Sequence, residues 1–298
     1  MRFICSKNKG IALVQVLIIT AVLMLIAIFI QQSIKQQVEI ASLAKERLSV
    51  RLELENVQAK LYRSLLSHQR YQDKNSTDEI VKLWNFHGEP FYLDSVKVTV
   101  QDVQGLINLN TSPRSLLKRY FSPWVDEKLM PQLLDAVEDW KDEDNLRRLN
   151  GAEKQDYDKG VTPSNTYLQH VNEFNLIAEH LKLTDIIPPI AYRFVTVQRL
   201  AGFNPLNAPE PALNAFLNDE NLVKQVLSAR ARGELSRFQF FQMTGIEEGE
   251  FVTFGTSPFL EVELSASRNG VLITKRVKLK VNPRARKNAL TIFNVVWY

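Results

Sequence analysis

The chain has 298 residues, 45% hydrophobic and 23% charged, with a formal net charge of +4. That is the composition of an ordinary globular chain with a core; without the three cations of residues 1–10 the charge is near +1, which disfavours broad electrostatic capture of nucleic acid. The single cysteine, Cys5, lies in the first ten residues; a chain trimmed after them has no disulfide, thiolate metal site or thiol nucleophile.

The first predicted element is apolar. Lys9 is the last charge before it and Lys35 the first after it. About 20 predominantly apolar residues, roughly 30 Å as a helix, match one bilayer core. A secretory signal, a plain anchor and the N-terminal spine of a pilin-like subunit all fit a run of this kind. A signal has an apolar core of about 7–15 residues with a small-residue cleavage site after it. Here the run is longer, Gln31-Gln32-Ser33-Ile34-Lys35 follows it, and the small residue, Gly10, precedes it. The pilin-like order fits best. Arg2, Lys7 and Lys9 flank the run with no acid among them, so the positive-inside bias keeps residues 1–10 cytoplasmic and puts everything after Ile30 on the far side. Losing those three cations would bring the net charge near +1.

From Gln31 to about His68 there is neither Pro nor Gly. Val50, Leu54, Val57, Leu61 and Leu65 recur at helical spacing and form one stripe; Ile34, Val38, Ala41, Leu48 and Leu52 form another, rotated from it. One helix over 11–68, with 11–30 spanning the membrane, would be about 85 Å long. The heptads are not sustained, so a shaft shared with sibling subunits explains the two stripes better than a coiled-coil stalk.

Residues 69–90 read as a loop around a short apolar piece. Ser95 to Val103 alternates as a strand, Val96, Val98 and Val100 against Lys97, Thr99 and Gln101. Helix before strand gives α+β order. An Asn-rich turn, Ile107–Thr111, then leads to a helix that Thr111 or Ser112 should cap, with Pro113 in its first turn, and Pro131–Trp140 is a second helix. A loosely similar unit begins about 95 residues later: Tyr192–Val197 as a short strand, the turn Phe203–Glu210, and helices over Ala212–Leu217, Asn221–Ala231 and Phe238–Met243. The C-terminal part is β. Leu260, Val262 and Leu264 alternate with polar residues, Asn269-Gly270 marks a hairpin, Val271, Ile273, Val277 and Leu279 carry the return strand, and Leu290–Trp297 is a last apolar strand. The basic loop Arg284-Ala285-Arg286-Lys287 reads as a solvated turn. The expected domains are therefore the helix, an α+β domain from 69–110 and 250–298, and an inserted mainly helical domain at 111–249 holding two related helical units.

The one candidate site is acidic. Between Glu138 and Lys159 stand eight acids (Glu138, Asp139, Asp142, Glu143, Asp144, Glu153, Asp156, Asp158) and five cations (Lys141, Arg147, Arg148, Lys154, Lys159). Crowded carboxylates repel unless a hard cation collects them, and calcium takes 6–8 oxygens in flexible geometry. The spacing is not that of an EF-hand, because Arg147 stands where its glycine should be. A solvated acidic loop and a calcium site both remain open on composition.

A resemblance now becomes specific. Lys9-Gly10-Ile11-Ala12-Leu13, Gln104-Gly105-Leu106-Ile107-Asn108-Leu109-Asn110, Asp139-Trp140-Lys141-Asp142-Glu143-Asp144, Asn150-Gly151-Ala152-Glu153, Tyr157, Asn165, Leu168, Val171, Glu173-Phe174 and Asn204-Pro205-Leu206-Asn207-Ala208-Pro209 occur in order. With them the chain resembles the K-class (GspK) minor pseudopilins of bacterial type II secretion systems. The glycine-led leader is common to pilin-like proteins; the Asp-Trp…Gly-Ala-Glu block and the paired Asn-rich turns single out the class.

The resemblance implies an α+β fold in which the long helix packs on a pseudopilin-type antiparallel sheet. It implies a prepilin peptidase that cuts between Gly10 and Ile11 and methylates the new N-terminus. Gln15 becomes the fifth mature residue, where most pilin-like subunits carry Glu; the K class typically lacks it, and a subunit with none above it loses no pairing. It further implies a single-pass inner-membrane protein with a periplasmic C-terminal domain. Such a protein starts pseudopilus assembly in a tip complex with the I and J classes and exports folded proteins across the outer membrane. Structural calcium is implied too, on Asp142, Asp144 and Glu153, with Asp139, Asp156 and Asn165 as further candidates. The family usually continues Gly-Ala-Glu with Asp, where this chain has Lys154, so a second calcium site is weakened or Asp156 substitutes.

Rival readings are a type IV minor pilin and a membrane-anchored helix-hairpin-helix DNA-binding protein. The latter needs a glycine hairpin, and Leu116–Pro131 contains no glycine. An enzyme is disfavoured: His68, His87, His170 and His180 show no ligand spacing such as H-E-x-x-H, and no nucleophile elbow is visible.

Overall fold

The computed structural model describes residues 11–158, 160–200 and 202–298. The expected cleavage residue Gly10 lies outside them, as does Lys159. The first element is a single helix, α1 (Ile11–Ser67), 57 residues long. Along residues 12–30 every side chain is exposed, as an apolar helix is when nothing of its own chain covers it. The stretch is long and apolar enough to cross a membrane.

The second half of α1 behaves differently. Val50, Leu54, Val57, Leu61 and Leu65 are all fully buried, whereas Ile34, Val38, Leu48 and Leu52 stay exposed. The buried stripe lies on an antiparallel five-stranded sheet in the order β1 (Phe91–Leu93), β2 (Val96–Asp102), β5 (Phe259–Arg268), β6 (Val271–Val281), β7 (Leu290–Trp297). Val96, Val98 and Val100 meet it from β2, Leu260, Val262 and Leu264 from β5, and Val277, Leu279 and Val281 from β6. Each such side chain contributes about 1.5–3 kcal/mol by leaving water. One inward position of β6 is Lys275. Its buried ammonium donates to Glu55 of α1 at 2.7 Å and sits over the Trp297 ring. The β5–β6 turn is Asn269-Gly270 with both φ positive, the primed turn that matches strand twist.

Two elements of this domain escaped the sequence pattern. Residues 69–90 are not all loop: α2 (Glu79–Leu83) forms where Asp78 accepts from the Ile80 N–H, and β1 follows it.

Between β2 and β5 the chain builds a second hydrophobic core. Its elements are β3 (Ile107–Asn108), α3 (Arg114–Phe121), α4 (Met130–Lys141), α5 (Val171–His180), β4 (Val195–Thr196), α6 (Glu210–Leu217), α7 (Glu220–Ala231) and α8 (Arg237–Thr244). The two Asn-rich turns match in detail. Asn108 Oδ1 accepts from the Asn110 N–H, and Asn204 Oδ1 from the Leu206 N–H. Pro113 and Pro209 then occupy the cap positions. Helices of 8 and 12 residues follow in both units. β3 and β4 pair in parallel.

Two local expectations are corrected, and one helix, α5, was not expected from the sequence. Neither Thr111 nor Ser112 caps α3: the Ser112 hydroxyl accepts from the Asn108 N–H and stabilises the preceding turn instead. Of Tyr192–Val197 only Val195 and Thr196 are strand, because Ala191–Phe194 coil into a 3-10 turn. α5 carried no Ser, Thr, Asp or Asn start signal. His170 Nδ1 accepts from the Asn172 N–H, and Glu173 reaches back to the N–H groups of Gln169 and His170.

The two cores are joined at Asp102, where β2 ends. Its fully buried carboxylate accepts from Ser257 Oγ at 2.6 Å, Asn207 Nδ2 at 2.9 Å, Asn204 Nδ2 at 3.2 Å, and the N–H groups of Gln104 and Ser257. Asp102→Asn keeps the shape but turns an acceptor toward these donors into a donor. It should lower unfolding free energy by about 2–3 kcal/mol, since buried polar groups lose their partners. Urea unfolding followed by tryptophan fluorescence checks this; a loss under about 0.5 kcal/mol, the range of an ordinary surface change, would mean that the carboxylate does not join the cores.

Candidate metal centre

The acidic block begins at the end of α4, where negative charge is least welcome because the helix dipole is negative there. The chain answers with cations. Lys141 turns back to the carbonyls of Leu109 and Asn110 and to Glu138. Arg148 bridges two acids: its guanidinium donates to Asp139 Oδ1 at 2.7 Å and to Asp142 Oδ2. Asp139 is fully buried and also accepts from the Arg148 N–H. A Cβ at Gly151 would overlap the Asp139 carboxylate, which is why Asn-Gly-Ala follows here.

Aromatic packing fixes the block from below. Trp140 donates through Nε1 to Glu173 at 2.9 Å and stands edge-on to Tyr157. Asn150 is held by Asp135. These contacts bring residues from two loops, eleven positions apart in sequence, to one place.

Asp142, Asp144 and Glu153 converge there, with one carboxylate oxygen of each lying within 4.8 Å of the others. Glu153 is fully buried, and neither of its oxygens meets hydrogen-bond geometry with any donor among the described residues; the same holds for Asp142 Oδ1. Burial pushes the Glu153 carboxyl above the ordinary range, and the like charges of Asp139, Asp142 and Asp144 push it further. The nearby Lys154 N–H offsets only a little of this. Two unit charges at such a separation repel by about 3 kcal/mol at an effective dielectric constant of 20.

The other three sequence-predicted residues surround this group rather than join it. Asp139 is engaged by Arg148. Asp156 accepts from the Glu153 N–H at 2.9 Å and from Arg147 at 3.3 Å. Asn165, at φ 46°, donates from its amide to the Asp144 carbonyl at 3.0 Å and to Asn145. Lys154 is exposed. Arg148 is the residue that reading the sequence missed; an arginine among eight acids is visible in the sequence, but its choice of partners is not.

The donor set is all oxygen, partly buried and unsatisfied, without histidine or thiolate. It suits a hard cation such as calcium, and a buried polar atom without a partner calls for one.

Known proteins resemble this chain as follows. The family described as "Type II secretion system (T2SS), protein K" matches residues 113–182, the segment that holds the acidic block. The type II secretion system protein K of Klebsiella pneumoniae is 27% identical, covering 76% of this chain and 76% of its own. The chain's fold is like one in the crystal structure of the GspK-GspI-GspJ complex from enterotoxigenic Escherichia coli, with a TM-score of 0.51 and 14% identity over 88% of this chain and 99% of that one.

The raised pKa of Glu153 has a sign. The folded state binds more protons than the unfolded one between the ordinary glutamate pKa and the raised one. Stability therefore falls as pH rises through that window, and the loss persists above it. In chelator, Glu153→Gln should be as stable as the natural chain near pH 4 and increasingly more stable toward pH 7. Thermal unfolding across this range reads the difference; a natural chain that outlasts the variant at pH 7 in chelator would show the carboxylate to be satisfied.

Proposed function

We infer that this chain, a K-class minor pseudopilin of type II secretion, works mechanically, as the membrane-anchored subunit that caps and starts a pseudopilus. The observation that carries the reading is the division of α1. Its first half offers only an exposed apolar surface, and its second half rides on an antiparallel sheet, while the protein K segment lies in the helical insertion between β2 and β5.

The anchor would sit in the inner membrane with residues 1–10 cytoplasmic, as the three cations ahead of it favour. A prepilin peptidase would cut between Gly10 and Ile11 and methylate the new amine. Gln15 in the spanning helix avoids the cost of a carboxylate in hydrocarbon. The exposed stripe Ile34, Val38, Leu48 and Leu52 is available to the helices of neighbours, and the I and J classes are the partners we assign to it. The inserted helical domain would clash with a subunit stacked above it, so the tip is the position we assign.

Calcium would be held by Asp142, Asp144 and Glu153. When bound, it supplies positive charge that removes their mutual repulsion. The chain's own residues do the rest: Arg148 and Gly151 set the first loop, Asp156 and Asn165 the flanking ones.

Two outcomes are expected. Replacing Gly10 should leave an uncut leader, read as the intact N-terminal mass, and abolish secretion; normal secretion with an intact leader would overturn the processing step. Calcium at a hundred times its dissociation constant should stabilise the chain by about 2.7 kcal/mol, a rise in melting temperature of about 5–10 °C at this size. Glu153→Gln should lose most of that rise. Equal melting temperatures in calcium and in chelator would remove the metal from the reading.

A further inference from the structure

A cleft of about 1240 Å³ lies where three distant parts of the chain meet. Arg70 enters it from the loop after α1, Arg230 from the end of α7, and Lys280 and Arg284 from the end of β6 and the loop beyond. The solvated turn expected at Arg284 is thus the rim of a cavity. Arg237 at the start of α8 also lines it and pairs loosely with Glu248 at 3.7 Å.

Among the described residues, Arg70, Arg230, Lys280 and Arg284 make no salt bridge. The one acid in the lining, Glu234, is taken by Arg232 at 2.6 Å. Asp102 acts on Arg70 through space, but its oxygens are occupied by five donors. Glu89 acts on Arg230 likewise, without contact.

Arg230 is the most confined of the four. It donates to the Ala208 and Pro205 carbonyls at 2.9 and 3.2 Å, and its Nε has no acceptor. Burial lowers its pKa to about 10. Beside it His87 is held neutral, pushed down to about 3 by burial and then by Arg230. Arg70 Nε is also hidden without an acceptor. Half-buried guanidinium groups without a carboxylate are costly to the fold, and their fork geometry matches carboxylates in pairs.

We propose that this cleft is a docking site for an extended acidic peptide segment of a partner protein. Its volume exceeds that of typical small-ligand pockets, about 300–1,000 Å³, so a single small anion would leave most of it unfilled. Lipid headgroups are out of reach: the 37 residues of α1 that follow Ile30, through Ser67, put the cleft about 55 Å beyond the apolar run. An Asp- or Glu-rich strand of a few residues would meet Arg230 and Arg70 at the floor and Arg284 and Lys280 at the rim. It would at the same time bridge the sheet and the second helical unit.

The test uses the full chain in a non-ionic detergent and a fluorescein-labelled hexaglutamate peptide, read by anisotropy at low salt. Saturable binding is expected. Arg230→Gln and Arg284→Gln should each weaken it about tenfold, the scale of one charged hydrogen bond. Arg284 is exposed, so its variant reports on binding even where Arg230→Gln unfolds. Lys128→Gln, an exposed cation outside the cleft, should leave binding unchanged. No saturation, or an equal loss with Lys128→Gln, would overturn the proposal. So would displacement of the peptide by inorganic phosphate or phosphatidylglycerol vesicles as effective as by unlabelled hexaglutamate, which would assign the cations to phosphate groups.

Discussion

The carboxylate of Asp102 is the constraint on which the rest of the fold depends. The chain leaves the sheet at this residue and re-enters it at Phe259, just after Ser257 binds Asp102. Everything between must start and end within reach of one side chain, because β5 lies next to β2 and pairs Leu260 with Asp102 itself. Burial raises the Asp102 carboxyl, and the side-chain donors of Asn207 and Ser257 and the N–H groups of Gln104 and Ser257 work against the rise. These donors come from the start of the insertion at Gln104, from its second asparagine turn at Asn207 and from its end at Ser257, so satisfying one buried charge also sets the spacing between the two cores.

From that point the insertion solves its own packing problem twice. Each unit opens with an asparagine turn and a proline cap and lays an 8-residue helix against its counterpart, α3 against α6. The units diverge after their 12-residue helices. The second continues within a few residues into α8. The first runs from Asp142 to His170 without regular structure among the described residues before α5 begins. Loops of that length inside a compact domain are uncommon without a function of their own. Here Arg148, Trp140 and Asn165 tie the loop down, and Asp142, Asp144 and Glu153 are left facing one another.

What could be read beforehand follows from periodicity. The buried stripe of α1, the alternation of β2 and β5, and the Asn269-Gly270 hairpin are local patterns with a fixed repeat, and each lies where its period puts it. The grouping of Asp142 with Asp144 and Glu153 came from a resemblance, not from spacing, since no helical or strand period joins positions 142 and 153. What stayed hidden depends on tertiary choice. Ser112 serves the turn before it rather than the helix after it. His170 caps α5 although histidine is seldom a cap. Lys275 sits on the core face of β6 only because Glu55 meets it. The cations of the cleft come from residues 70, 230, 280 and 284, and only the closed fold gathers them.

The same contacts define how force on α1 would reach the rest of the molecule. The first polar contact between the helix and the sheet is Ser49 with Arg268; Arg51 over Trp297 and Glu55 with Lys275 follow. Between them the five buried stripe residues resist sliding, because moving one residue along the helix would turn the stripe off the sheet by about 100°. Beyond Leu65 the load passes to the insertion: Arg70 donates to the Thr256 carbonyl, and the Thr256 hydroxyl donates back to the Arg70 carbonyl at 2.7 Å. Thr256 adjoins Ser257, which holds Asp102. A pull on the N-terminal half of α1 is therefore borne first in shear by an apolar seam and then, at the far end, by a short chain of hydrogen bonds that ends on the carboxylate joining the two cores.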